Sequence, residues 1–279
     1  AAVALSVAVM LFGREINGSK RWLALGPFSF QPSEFAKVAL ILFLADLVTK
    51  NVKTIGKMWT LCRIMFWILP IVGLVGASNL STAIIILGIG VILIFVASPK
   101  YAQFALMGIA GACFMGIFLA LESYRLERLA IWRNPEKYEK GYQTLQGLYA
   151  IGSGGVFGVG IGNSVQKLGF VPEAQNDMIF SIICEELGLA GAGIIVFLFL
   201  LLIWRFFLIA SGSRDLFGAL IATGAMAHMM IQVILNIAVV TNTIPNTGIT
   251  LPFISYGGTS VMFLLIEMGL VLSVSQVVD

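Results

Sequence analysis

Charge is what this sequence has least of. Only 11% of its 279 residues are Asp, Glu, Lys or Arg, while 59% are hydrophobic and the mean hydropathy is +0.98. A soluble domain carries about 25% charged residues. Most of this surface is therefore not built for water, and the chain reads as a polytopic membrane protein. The net charge of +3 gives no argument for nucleic acid. Cysteine is scarce too. Cys62, Cys113 and Cys184 lie far apart in or beside apolar runs. They lack metal-ligand spacing and read as packing residues. The opening AAVALSVAVMLF has neither Met nor a basic n-region, so it is not a signal peptide. It is too short to span and reads as the tail of a helix whose start, with further N-terminal spans, lies upstream.

Long apolar runs are what the sequence has in abundance. Eight are visible, at 1–12, 33–49, 61–78, 80–98, 101–121, 178–208, 215–241 and 250–278. Crossing a bilayer takes about 20 residues of helix. Backbone groups in lipid must bond internally, so each run is expected to be helical. The expectation is an all-α polytopic bundle, one transmembrane domain over 1–279 with a large extracytoplasmic loop at 122–177. No soluble domain fits between the runs, and no repeat of solenoid length is visible.

Sidedness follows from Lys and Arg in the connections. Lys50, Lys53, Lys57 and Arg63 crowd one connection, Lys100 marks another, and Arg205 and Arg214 a third. These alternate connections are assigned to the cytoplasm. The connections 13–32, 78–81, 122–177 and 242–250 then lie outside.

Candidate chemistry gathers where polar loops meet apolar helices. The stretch KLGFVPEAQNDMIFSIICEELG, 167–188, places Asp177 at such a join. A half-desolvated carboxylate gains basicity, which suits a general base. Position alone favours the other reading, a helix cap formed by Asn176 or Asp177. Ser181 and Glu185 follow at steps of four, a polar stripe reaching about 12 Å down a helix at ~1.5 Å per residue. Glu34 and Lys37, three apart behind Pro32, share a helix face at the membrane border. Such residues usually face a polar cavity, or else form a self-neutralising pair. Arg21 beside Trp22 suits a headgroup anchor. His228, Gln232 and Asn236 form another stripe expected to face the bundle interior. Glu267 needs a partner, either His228 or a backbone group. The run IGSGGVFGVGIGN fails both the P-loop and the dinucleotide patterns. Its glycines permit tight turns and close backbone approach, or a flexible linker. The first part of the large loop, ESYRLERLAIWRNPEKYEKGYQ, suits an amphipathic helix on the membrane. In LPFISYGGTS, Pro252 and Gly257–Gly258 break the helix, so Ser255, Tyr256, Thr259 and Ser260 are expected to border a cavity.

Three stretches together, GSKRWLALGPFSFQPSEFAK, GYQTLQGLYAIGSGGVFGVGIGNSVQKLGFVPEAQNDMIFSIICEELG and LPFISYGGTS, resemble the RodA/FtsW/SpoVE (SEDS) family of bacterial shape, elongation, division and sporulation proteins. The motifs stand in the family's order, and the resemblance covers essentially the whole chain. FVPEAQNDM and SPKY lean towards the division and sporulation branch. Asn79 stands where some relatives carry an acid, and Gln175 and Asn176 where many have His and Thr.

The resemblance implies a ten-helix family fold, of which this chain would supply about eight. It implies a peptidoglycan glycosyltransferase polymerising lipid II at the outer face of the bacterial cytoplasmic membrane, with release of undecaprenyl pyrophosphate. Asp177 would be the catalytic residue. Arg21, Glu34, Lys37, Glu173, Ser255 and Tyr256 would bind substrate. No all-protein metal site is evident, so any divalent cation, Mg or Mn, would be shared with the pyrophosphate. A class B penicillin-binding protein, the transpeptidase, would be the partner. Two rival readings stay in view: a lipid II flippase using the intramembrane ionisable groups, and a non-catalytic scaffold that activates such a partner. A polymerase makes glycan from lipid II in detergent, a flippase needs two leaflets, and a scaffold tolerates Asp177→Asn.

Overall fold

The apolar runs become helices because lipid offers the backbone no other partner. A computed structural model describes residues 5, 8, 9, 13–16, 19–25, 28–98, 100, 102–120 and 123–276. The expected helix tail over 1–12 lies mostly outside these. The long helices are α1 (Pro32–Asn51), α2 (Met58–Ser78), α3 (Leu80–Ala97) and α4 (Ala102–Ala120). Two shorter ones, α5 (Ser123–Arg133) and α6 (Tyr142–Ser153), occupy the large connection. The chain then forms α7 (Ile179–Gly212), α8 (Leu216–Val240) and α9 (Gly258–Ser275). Among the described residues five helices are long and apolar enough to cross a membrane: Met58–Ala77, Leu80–Ala97, Ile179–Gly212, Leu216–Val240 and Gly258–Ser275.

The chain folds as two compact units. The first holds Ala1–Ala105, Ile203–Ile231 and Gly257–Asp279, and the second holds Leu106–Leu202 and Gln232–Tyr256. In the first unit the connection expected at 13–32 carries a small antiparallel meander. Its strands are β1 (Arg14–Ile16), β2 (Ser19–Leu25) and β3 (Phe28–Phe30), with Leu23 opposite Phe30. Pro32 then opens α1 at its first turn, where a missing N–H costs nothing.

Helices in lipid gain little from apolar burial and associate through close packing at small residues. The first unit follows that rule. A Cβ on Gly90 would come within 2.9 Å of Ile68, one on Gly224 within 2.6 Å of Ile41, and one on Gly88 within 2.6 Å of Ile231. Leu40, Ile41, Leu44 and Val48 lie on the buried face of α1. Phe263 packs edge-on against Phe30 at 5.9 Å. Asn79 caps α3, its Oδ1 accepting the Thr82 N–H at 3.2 Å.

The second unit departs from the expectation in one respect. The run 178–208 reads as an unbroken helix, but α7 is interrupted at Gly188, whose φ is +67°. The cause lies upstream. The N–H groups of Leu189 and Ala190 donate to the carbonyls of Gly155 and Val156 at 2.9 and 3.0 Å. Those of Val159 and Gly160 donate to the carbonyls of Glu185 and Glu186, both at 3.0 Å. The glycine-rich run is thus laid backbone to backbone against the helix. Gly158, at φ +77°, makes this possible, since a Cβ there would strike the Glu186 carbonyl.

Candidate active site

Asp177 sits in the turn immediately before α7, with 8% of its surface exposed. Three successive carbonyls of this turn are held by one segment of the second unit. The Tyr256 N–H donates to the Gln175 carbonyl at 2.8 Å, and the Ser255 hydroxyl to that of Asn176 at 2.6 Å. Asn236 Nδ2 donates to the Asp177 carbonyl at 2.9 Å and to that of Ile249 at 2.6 Å. Asn236 is fully buried, so the amide serves as a fastener. The Ser255 hydroxyl also accepts the Leu251 N–H at 2.7 Å, which ties down its own turn.

The Asp177 carboxylate has its own donor. Gln143 Nε2, on α6, reaches Oδ1 at 3.3 Å. Gln143 Oε1 in turn accepts from Asn246 Nδ2 at 3.2 Å. Arg128 donates to the Asn246 carbonyl at 3.2 Å, and Trp132 Nε1 to that of Asn242 at 2.9 Å. The helices of the large connection therefore anchor the 242–256 segment and aim the acid at once. Sequence reading missed Gln143 and Asn246. Only the density of amides in GYQ and IPNTG hinted at them. The stripe proposed through Asp177, Ser181 and Glu185 is not one helix face, because the helix starts after Asp177. Ser181 bonds back to the Met178 carbonyl at 2.7 Å. Glu185 is turned to the glycine-rich segment, where Oε1 accepts the Val165 N–H at 3.1 Å.

Glu173 lies in the same turn, exposed, at φ +55°, and pairs with the Asn176 side chain. Tyr256 is 74% exposed next to this turn, whereas Ser255 is buried. The first unit holds the other expected group. Glu34 and Lys37 pair at 2.9 Å, and both are buried. His228 Nδ1 pairs with Glu267 at 2.8 Å, which settles the partner of that intramembrane acid. His228 also acts electrostatically on Glu34. The unit thus gathers four buried ionisable side chains from α1, α8 and α9. Arg21 is placed by its backbone on β2, and its side chain lies outside the described residues. Among the described residues no three His, Cys, Asp or Glu side chains converge on a metal position. The donor set therefore suits only an ion that brings most of its oxygens with the substrate, since hard cations accept one or two carboxylates plus phosphates.

Helices coated for lipid, with a fastened acid-bearing turn and a buried ion-pair cluster, define an integral membrane protein equipped for polar chemistry. The chain belongs to the FtsW/RodA/SpoVE family of cell cycle proteins, whose model matches residues 1–279. It is 42% identical over 271 residues to stage V sporulation protein E of Bacillus subtilis (strain 168), covering 93% of this chain and 72% of that protein. It is 38% identical over 281 residues to the probable peptidoglycan glycosyltransferase FtsW of Coxiella burnetii (strain RSA 493 / Nine Mile phase I), covering 96% and 74%. A solved structure describing how a peptidoglycan synthase complex coordinates polymerization and crosslinking is 29% identical with a TM-score of 0.83. It covers 99% of this chain and 78% of that one. The crystal structure of the rod shape determining protein RodA of Thermus thermophilus, also 29% identical, gives 0.70 over 99% and 75%. These findings fit the helical architecture and the division and sporulation branch expected from the sequence.

Proposed function

We propose that this protein is a peptidoglycan glycosyltransferase that polymerises lipid II and releases undecaprenyl pyrophosphate, with Asp177 as general base. The observation that carries this is the aimed and largely buried carboxylate at the mouth of α7, in a chain otherwise poor in charge. An acceptor sugar hydroxyl loses its proton to Asp177 as its oxygen bonds the donor's anomeric carbon. The bond from that carbon to the pyrophosphate oxygen breaks, the electron pair leaves with the diphosphate, and attack from the opposite face inverts the configuration. A base within hydrogen-bond reach of the hydroxyl contributes roughly 10²–10⁴-fold.

The departing diphosphate gains charge, which cations must meet. We assign this to Lys37, held by Glu34, and to Arg21. Glu173 and Tyr256, exposed near the acid, are assigned to substrate, and Ser255 supports them by fixing the turn. A divalent cation, Mg or Mn, would be shared with the diphosphate and would add charge compensation there, leaving Asp177 free to take the proton. The acid faces outward, because the basic connections at 50–63, 99–101 and 205–215 mark the opposite side. A class B penicillin-binding protein is the proposed partner.

Purified full-length protein with that transpeptidase, given lipid II in detergent, is expected to yield glycan polymer resolvable on a gel. The buried cluster of the first unit suits a flippase as the second reading. Movement of lipid II between leaflets with no polymer in detergent would favour it and defeat the first. Gln143 is a positioning residue in the polymerase reading. A hydrogen bond to a charged group contributes about 1.5–3 kcal/mol. Gln143→Leu is therefore expected to lower kcat by about tenfold with KM little changed, measured on initial polymerisation rates.

A further inference from the structure

The segment 155–170 presents an apolar surface that the site does not use. Phe157 is 84% exposed, Ile161 83% and Leu168 75%, with Val156, Val165 and Phe170 also exposed. Contiguous apolar surface of this kind marks a protein or membrane contact. Its occupant follows from what it adjoins. The segment is hydrogen-bonded to α7 at Leu189 and Ala190. Leu189 is itself 71% exposed, and Ile194, Phe197 and Leu198 continue the uncovered apolar face. Only 17% of the apolar 18-residue window in α7 is buried inside the protein, which leaves a broad apolar face suited to lipid. The part of α7 after the Gly188 break runs from Leu189 to Gly212. At ~1.5 Å per residue the stretch from Leu189 to Trp204, before the basic connection that opens at Arg205, covers about 24 Å of a hydrocarbon core of ~30 Å. The break, and the segment bonded to it, therefore fall at the membrane boundary.

Irregular backbone is admitted there only if its polar groups are met within the protein. Two adjacent acids at the head of α7 meet them. Glu185 accepts the Val165 N–H at 3.1 Å and the Ser164 hydroxyl. Glu186 accepts the Ser164 N–H at 3.4 Å, and a Gly162 backbone hydrogen bond also reaches it. Glu186 also pairs with Lys167 at 2.5 Å, which neutralises the cation of the segment nearest its apolar tip.

We propose that residues 155–170 insert into the lipid leaflet at the N-terminal end of α7, with Phe157, Ile161 and Leu168 among the acyl chains and Glu185 and Glu186 satisfying the backbone behind them. The turn carrying Asp177 follows directly from this anchor, so the acid is held at the lipid surface. The test uses full-length protein in lipid nanodiscs with the native cysteines replaced. Spin labels are placed at Phe157→Cys, Ile161→Cys and Leu168→Cys, with Phe197→Cys as a lipid-facing reference and Tyr138→Cys as a reference outside the segment. These positions are open to solvent-sized probes, so labelling leaves the packing intact. Collision with oxygen is expected to exceed collision with a water-soluble nickel chelate several-fold at all three sites, as at 197. A preference for the nickel chelate would overturn the proposal in favour of an aqueous loop. Exclusion of both probes would overturn it in favour of a protein partner.

Discussion

Asp177→Asn is expected to reduce lipid II polymerisation at least about 100-fold while leaving the fold intact. The substitution is nearly isosteric. Its amide oxygen can still accept from Gln143 Nε2, which now reaches Oδ1 at 3.3 Å. The fastening of the turn uses the Asp177 backbone carbonyl, bonded to Asn236 at 2.9 Å, and that carbonyl is unchanged. What disappears is the capacity to take a proton. Loss of a general base removes roughly 10²–10⁴-fold, or about 3–5 kcal/mol of barrier lowering at ~1.4 kcal/mol per decade. Initial polymer yield and thermal unfolding of the same purified sample decide the matter. Equal yield from the variant would refute the base assignment, and an unfolded variant would move the test to Asp177→Glu, which keeps the proton acceptor but displaces it.

Lys37→Met is expected to have the next largest effect, and to act on stability as well as rate. Lys37 is 1% exposed and Glu34 6%, and they meet at 2.9 Å. Removing the cation leaves a buried carboxylate without its Lys37 counter-ion. Breaking a buried pair from one side costs about 3–5 kcal/mol. The double variant Glu34→Gln/Lys37→Met removes both charges, so stability is expected to return. Activity is the separate readout. If Lys37 compensates the leaving diphosphate, the double variant stays inactive although it is stable again. Recovery of activity together with stability would reduce the pair to packing.

The helices were legible because composition leaves them no alternative. The run 80–98 carries no charge before Lys100, and α3 ends at Ala97 as that run predicts. Pro32 announced the start of α1, and the spacing of three announced that Glu34 and Lys37 would meet. The break at Gly188 was hidden. A glycine in an apolar run looks like any other, and its left-handed φ arises from a segment some thirty residues upstream. The site was legible in its acid and not in its support. Asp177 stands out as a charge at a border. Gln143, Asn236 and Asn246 are neutral amides from distant stretches, and only the fold shows that they converge. The meander at 14–30 escaped notice because β1 and β3 have only 3 residues each and the 7 of β2, SKRWLAL, do not alternate polar with apolar.

The grip on residues 175–177 has a consequence for how the 242–256 segment can vary. It looks like an ordinary connector between two spans, where insertions would normally pass without harm. Yet its Ser255 and Tyr256 must land on consecutive carbonyls beside the acid, and its far end is pinned by Trp132 through Asn242. One added residue would shift the registry and re-aim the carboxylate without touching it. The length of this connector is therefore as tightly specified as the identity of the acid.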